Sequence, residues 1–190
     1  MHSKIERKQK IIEHLNTILS LHSVVWLFLI VFLIHDFEEI IYMETWFARH
    51  YHKFRHKIPS PFLKITDQAS KVTTQQFALA VLVELLFLVI ATLIASEGMD
   101  YLLFLGVNII MLLHVFMHIG QSIYLRRFVP GVLTAIFFIL PYSLYLFYRL
   151  LVEKVVSWSD IVISIPFGFL LVPIVLFGHY LAGKLLKTND

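Results

Sequence analysis

The chain has 190 residues, of which 58% are hydrophobic, 15% aromatic and only 15% charged, with a mean hydropathy of +0.78. A soluble domain of this length carries about a quarter charged residues, so most soluble folds are excluded and an all-α polytopic helical bundle in a lipid bilayer is expected. Cysteine is absent, which excludes a disulfide scaffold or a thiolate-held metal, and the formal charge of +3 suits lipid headgroups and membrane topology, with no nucleic-acid partner expected.

The first predicted element is an interfacial amphipathic helix over residues 1–22, with Ile5, Ile11, Ile12, Leu15, Ile18 and Leu19 set against Lys4, Arg7, Lys8 and Lys10. No small-residue cleavage site follows it, so it does not read as a secretory signal. A bilayer core of roughly 30 Å takes about 20 apolar residues as a helix. Five stretches reach that length, at about 24–46, 75–95, 101–125, 131–150 and 161–183. Turn chemistry separates them at Glu97-Gly98-Met99-Asp100, at Arg126 to Gly131 and at Ser157 to Asp160. Residues 49–71 read as a basic connector in which His50, His52 and His56 are solvated, and the whole of 1–190 reads as a single membrane domain. Five spans place the ends of the chain on opposite sides. Of the 16 Lys and Arg residues, 10 fall on the side of the long first loop and the C-terminus, which the positive-inside rule assigns to the cytoplasm.

Every Lys and Arg falls outside the predicted spans or at their ends, but several acids and histidines do not. His35, Asp36, Glu38 and Glu39 lie on the first span, Glu84 on the second, His114 and His118 on the third, and His179 on the fifth. An ionised group near mid-bilayer costs about 2.5 to 3.5 kcal/mol on insertion scales, so these acids need compensation. Residues at i, i+3 and i+4 share a helix face, so His35, Glu38 and Glu39 project together while Asp36 points elsewhere. His114 and His118 form the i, i+4 pair that lets two imidazoles reach one metal. Counted inward from the long-loop side at about 1.5 Å per residue, His35 and His114 lie roughly 16 Å deep, Glu84 roughly 13 Å, Glu39 and His118 roughly 10 Å, and His179 roughly 8 Å. One layer thus holds them all.

A converging site is the economical explanation, and charge favours a divalent metal within it. Three carboxylates carry about −3, which one divalent ion reduces to about −1 and two convert to about +1. The candidate ligands are His35, Glu38, Glu39, His114, His118 and His179, with Glu39 or Glu84 as general base. A His and carboxylate set without Cys suits zinc, iron, manganese or nickel alike by ligand hardness; with hydrolysis as the first reaction class, zinc is the expected metal and iron the alternative. The expected activity is metal-dependent hydrolysis of a lipid or other amphipathic substrate by a metal-bound water. Two alternatives are a di-iron oxidase or hydroxylase and, in a different class, a proton-coupled transporter or metal-ion permease.

The run His35-Asp36-Phe37-Glu38-Glu39 resembles the motif of the HXXEE family of small integral membrane proteins. That resemblance implies a further characteristic histidine, here His114 or His118, and a Y-x-P-G motif corresponding to Phe128-Val129-Pro130-Gly131. Phe replaces Tyr in this chain, which leaves no hydroxyl there for chemistry and keeps the Pro-Gly turn. The resemblance covers roughly the first through fourth spans and carries no settled activity.

Overall fold

The computed structural model describes residues 2–186, without the side chains of residues 2–5 and 7–9. The side chains of Lys4, Ile5, Arg7 and Lys8 on the predicted amphipathic face, and the whole of Lys187 at the C-terminus, therefore lie outside what is described. Among the described residues there are helices and no strand. They are α1 (His2–Ile18), α2 (Leu21–Phe54), α3 (Ser60–Ala69), α4 (Thr74–Ser96), α5 (Leu102–Leu125), α6 (Val132–Val152) and α7 (Trp158–Leu185).

Helices α4, α5, α6 and α7 are each long and apolar enough to cross a membrane, and the pair Lys10–Ile18 and Leu21–Lys57, bent by 93°, brings the number to five if it counts as one span. Ile90, Phe137 and Leu176 are among the many large apolar side chains left exposed on these helices, as expected of surfaces that face lipid. The chain therefore has the build of a membrane protein. Hydrogen bonds tie distant segments together at each end of the bundle. At one end Tyr145 donates to Asn16 Oδ1 (2.9 Å) and the buried Arg149 donates to the carbonyl of Leu19 (3.0 Å). At the other, Tyr124 donates to the carbonyl of Lys57 (2.6 Å) and Gln76 to that of Leu186 (2.9 Å).

Local chemistry explains most boundaries. Ser20 caps α2 by accepting from the Ser23 amide, and capping boxes at Thr73/Gln76 and Ser157/Asp160 open α4 and α7. The N-terminus of α4 is also tied to α2, because Glu44 accepts from the Thr74 amide (2.5 Å) and hydroxyl (2.7 Å). Residues 49–71 are more structured than a connector. Helix α2 continues to Phe54, burying Tyr51 and Phe54, and α3 folds back so that Asp67 accepts from Tyr51 and from Arg55 Nε (2.8 Å).

The last helix is interrupted at Phe169 and Leu170, where i→i−3 hydrogen bonds replace the α pattern between Pro166 and Pro173. Proline donates no backbone hydrogen bond, so the ladder fails there. The break lets the two halves pack on different partners. Gly168 meets α5 at Gly106 so closely that a Cβ on Gly106 would stand 2.4 Å from the Gly168 amide nitrogen, and Gly178 packs on the Ala80 backbone of α4. Small residues at such crossings are the usual way membrane helices approach one another.

Candidate metal centre

Helices α2 and α5 each contribute an i, i+4 pair, His35 with Glu39 and His114 with His118. One ligand atom from each of these four residues lies within 4.8 Å of every other. Four donors about 2.1 Å from a tetrahedral ion stand about 3.4 Å apart, so a small contraction suits the set to one cation. His35, Glu39 and His118 are buried, and His114 is half-buried.

The hydrogen bonds orient the rings. Thr134, near the start of α6, donates its hydroxyl to Glu38 Oε2 (2.6 Å), whose other contact is the Thr134 amide (2.9 Å). A carboxylate only accepts, so that hydroxyl spends its proton on Glu38 and accepts from His35 Nδ1 (3.0 Å). His35 is thereby held as the Nδ1–H tautomer. Its Nε2 is buried, free to offer a lone pair, and has no hydrogen-bond partner among the described residues. Carboxylate-supported imidazoles of this kind are typical behind metal ligands. On the other side His118 Nε2 lies 2.8 Å from His114 Nε2 and 3.1 Å from Glu39 Oε1. Two imidazole nitrogens and a carboxylate oxygen thus converge on one space, which a shared proton, or one cation in its place, can satisfy.

The turn before α6 closes this space. Gly131 has φ of +87°, a conformation favoured by glycine, and a Cβ there would meet His118 Cε1 at 2.6 Å and Glu39 Oε1 at 2.8 Å. Glycine is needed twice, for its backbone and for the room it leaves. Beyond Thr134 the helix widens into a π turn over Ala135–Ile139. At 3.6 residues per turn, Thr134 and Tyr142 would point about 80° apart. The wider turn absorbs that difference, and both reach α2: Thr134 at His35 and Glu38, Tyr142 at the Val24 carbonyl (3.1 Å).

The remaining predicted residues are placed as follows. Glu38 stands outside the four-residue group and is engaged by Thr134. His179 is not in the group either; its ring packs 5.8 Å from that of Phe77, because the second half of α7 lies against α4. Glu84 is half-buried on α4, close enough to Asp36 and Glu39 for their charges to interact, and also outside the group. Asp36, off the His35 face as expected, is buried with Oδ2 unpartnered. Thr134 and Gly131 were not singled out from the sequence as site residues, although the Pro-Gly turn marked their neighbourhood.

A cleft of about 590 Å³ borders the site, lined among others by Glu38, Trp46, Arg49, Arg127, Phe128 and Pro130. Trp46 is pinned within it by donating to the Phe128 carbonyl (2.7 Å).

A family model described as a protein of unknown function with HXXEE motif matches residues 26–146. That is well over half the chain, which therefore belongs to this family. No curated protein and no solved structure matches the chain.

Proposed function

We propose that this member of a family without assigned chemistry is an intramembrane metal-dependent hydrolase acting on a lipid or other amphipathic substrate. The observation that carries the reading is the buried convergence of His35, Glu39, His114 and His118 from two helices. A catalytic site keeps one coordination position open, most often with three protein ligands. The three histidines fill that role, with His35 oriented by Thr134 and Glu38, and Glu39 stands beside the open fourth position as general base. Zinc is the metal expected for hydrolysis at this donor set. When bound, such an ion lowers the pKa of water to about 7 and polarises the bond to be cleaved.

Glu39 takes one proton from the attacking water. The water's oxygen bonds to the electrophilic atom of the substrate, the bond to the leaving oxygen breaks, and Glu39 returns the proton to that oxygen. This assignment gives Glu84 no contact with the reacting atoms. The substrate reaches the site through the cleft, on the end of the bundle rich in Arg and Lys, and the charge excess favours the cytoplasmic side for that end.

Element-specific metal analysis of purified wild type, Glu39→Gln and His118→Ala tests this reading. Wild type is expected to hold zinc, and His118→Ala to lose it. Glu39→Gln is expected to keep the metal while losing 10²- to 10⁴-fold in lipid turnover, the usual contribution of a general base. Metal-free wild type at neutral pH overturns the proposal, and stoichiometric iron replaces hydrolysis with oxidation.

A further inference from the structure

The cleft beside the site sets two arginines, Arg49 and Arg127, against one carboxylate, Glu38. Arg49 and Arg127 both line it and both are exposed, and neither forms an ion pair among the described residues. The acids nearest Arg49 along α2 each have another partner: Glu44 accepts from Thr74, Glu39 lies beside His118, and Glu38 accepts from Thr134. The rest of the wall is largely apolar and open to the side, with Tyr42, Phe128 and Leu133 each about half exposed.

These features are ordered along the helix. Glu38, Tyr42, Thr45, Trp46 and Arg49 form one stripe at i, i+4, i+7, i+8 and i+11. It runs about 16 Å from the carboxylate beside His35 to the guanidinium end. Helical side chains lean toward the helix N-terminus, so Arg49 leans inward along this stripe.

We infer that the cleft binds a membrane-derived amphipath by its anionic headgroup, seated between Arg49 and Arg127, with its chain running inward past Tyr42 and Leu133 toward Glu38. The inference rests on the hydrolase reading only for calling this ligand the substrate. It also limits where reaction occurs. A head anchored at Arg49 sets the reacting bond inward of the headgroup, in the linkage or upper chain, and not at the head's own phosphoester. Two charge-assisted contacts select for an anionic head over a zwitterionic one.

Trp46 reports on occupancy. In a Trp26→Phe, Trp158→Phe background it is the remaining tryptophan. Nanodiscs of phosphatidylcholine are doped with brominated-chain phosphatidic acid or, separately, brominated-chain phosphatidylcholine, and quenching is followed. Phosphatidic acid is expected to half-quench at roughly 30-fold lower mole fraction, as two arginines at a membrane surface provide. Arg49→Gln with Arg127→Gln is expected to equalise the two lipids, and Arg49→Lys with Arg127→Lys to keep most of the preference. Equal quenching in wild type, or a preference that survives the Gln pair, overturns the inference. So does relief of quenching by glycerol phosphate at concentrations comparable to the lipid's, which points to a soluble anion. Metal content is measured on the same samples. A wild type that holds metal but shows no lipid preference refutes the headgroup site alone, and a wild type that shows the preference without metal refutes the hydrolase reading alone.

Discussion

Replacing Gly131 by Ala tests whether the turn before α6 is part of the metal centre. The new methyl carbon would lie 2.6 Å from His118 Cε1 and 2.8 Å from Glu39 Oε1, where ordinary contact begins at 3.4 Å. His118 must therefore move by about 0.8 Å, more than the roughly 0.5 Å within which a functional constellation has to be held. Two costs add. The φ of +87° disfavours an L-residue by about 1 to 2 kcal/mol, and overpacking a buried site costs about 1 to 3 kcal/mol. Gly120→Ala is the matched control, since a Cβ there meets nothing within 4 Å and the residue is within a helix, where Ala is favoured by about 1 kcal/mol. Thermal unfolding followed by intrinsic fluorescence, with metal content measured on the same samples, separates the two. Gly131→Ala is expected to melt well below wild type and to retain little metal, while Gly120→Ala melts at or slightly above wild type and keeps its metal. A Gly131→Ala protein with wild-type melting and full metal content would refute the geometry of the site.

Thr134→Val keeps the shape and removes the hydroxyl that joins Glu38 to His35. Metal affinity, from competition with a chelator, is expected to fall 10- to 100-fold, the range for losing an outer-shell partner of a ligating imidazole; unchanged affinity would show that His35 is oriented without it. Asp67 gives a prediction in acid. Hydrogen bonds from Arg55 and then Tyr51 hold its carboxyl down from 3.8 to about 2. A lowered folded-state pKa contributes stability that is complete above the unfolded value and disappears as pH falls through the folded one. Hydrogen exchange of the α3 amides is therefore expected to be faster in Asp67→Asn than in wild type at pH 6 and to become equal toward pH 2. A difference that persists unchanged in acid would show that Asp67 does not fasten α3.

That the chain is a bundle of apolar helices of membrane-crossing length was legible because this depends on composition over about 20 residues, which single side chains hardly disturb. The misjudged places depend on particular contacts. Residues 49–71 are basic and look like a loop, yet Phe47, Tyr51 and Phe54 form a ring cluster that carries α2 onward, and Asp67 fastens α3 to it. The π turn in α6 has no local signature; its reason is the need for Thr134 and Tyr142 to face α2 together.

For the site, depth and direction carried different information. Counting residues from a span end places a side chain in a layer of the membrane, and His179 does share that layer. It does not say which neighbour the helix turns that residue toward, and the break at Phe169 sends the second half of α7 to α4, where His179 meets Phe77. Spacing gave direction only to the resolution of a helix face. His35, Glu38 and Glu39 share one, but i+4 lies almost directly over i whereas i+3 falls to the other side of it, so Glu39 joins His35 facing α5 and Glu38 turns to Thr134. Thr134 itself lies 99 residues from His35, and a threonine in an apolar helix carries no mark of what it touches. Its role becomes visible only when α6 is laid beside α2, because the chemistry that depends on it, the tautomer of His35, is decided by a contact and not by a motif.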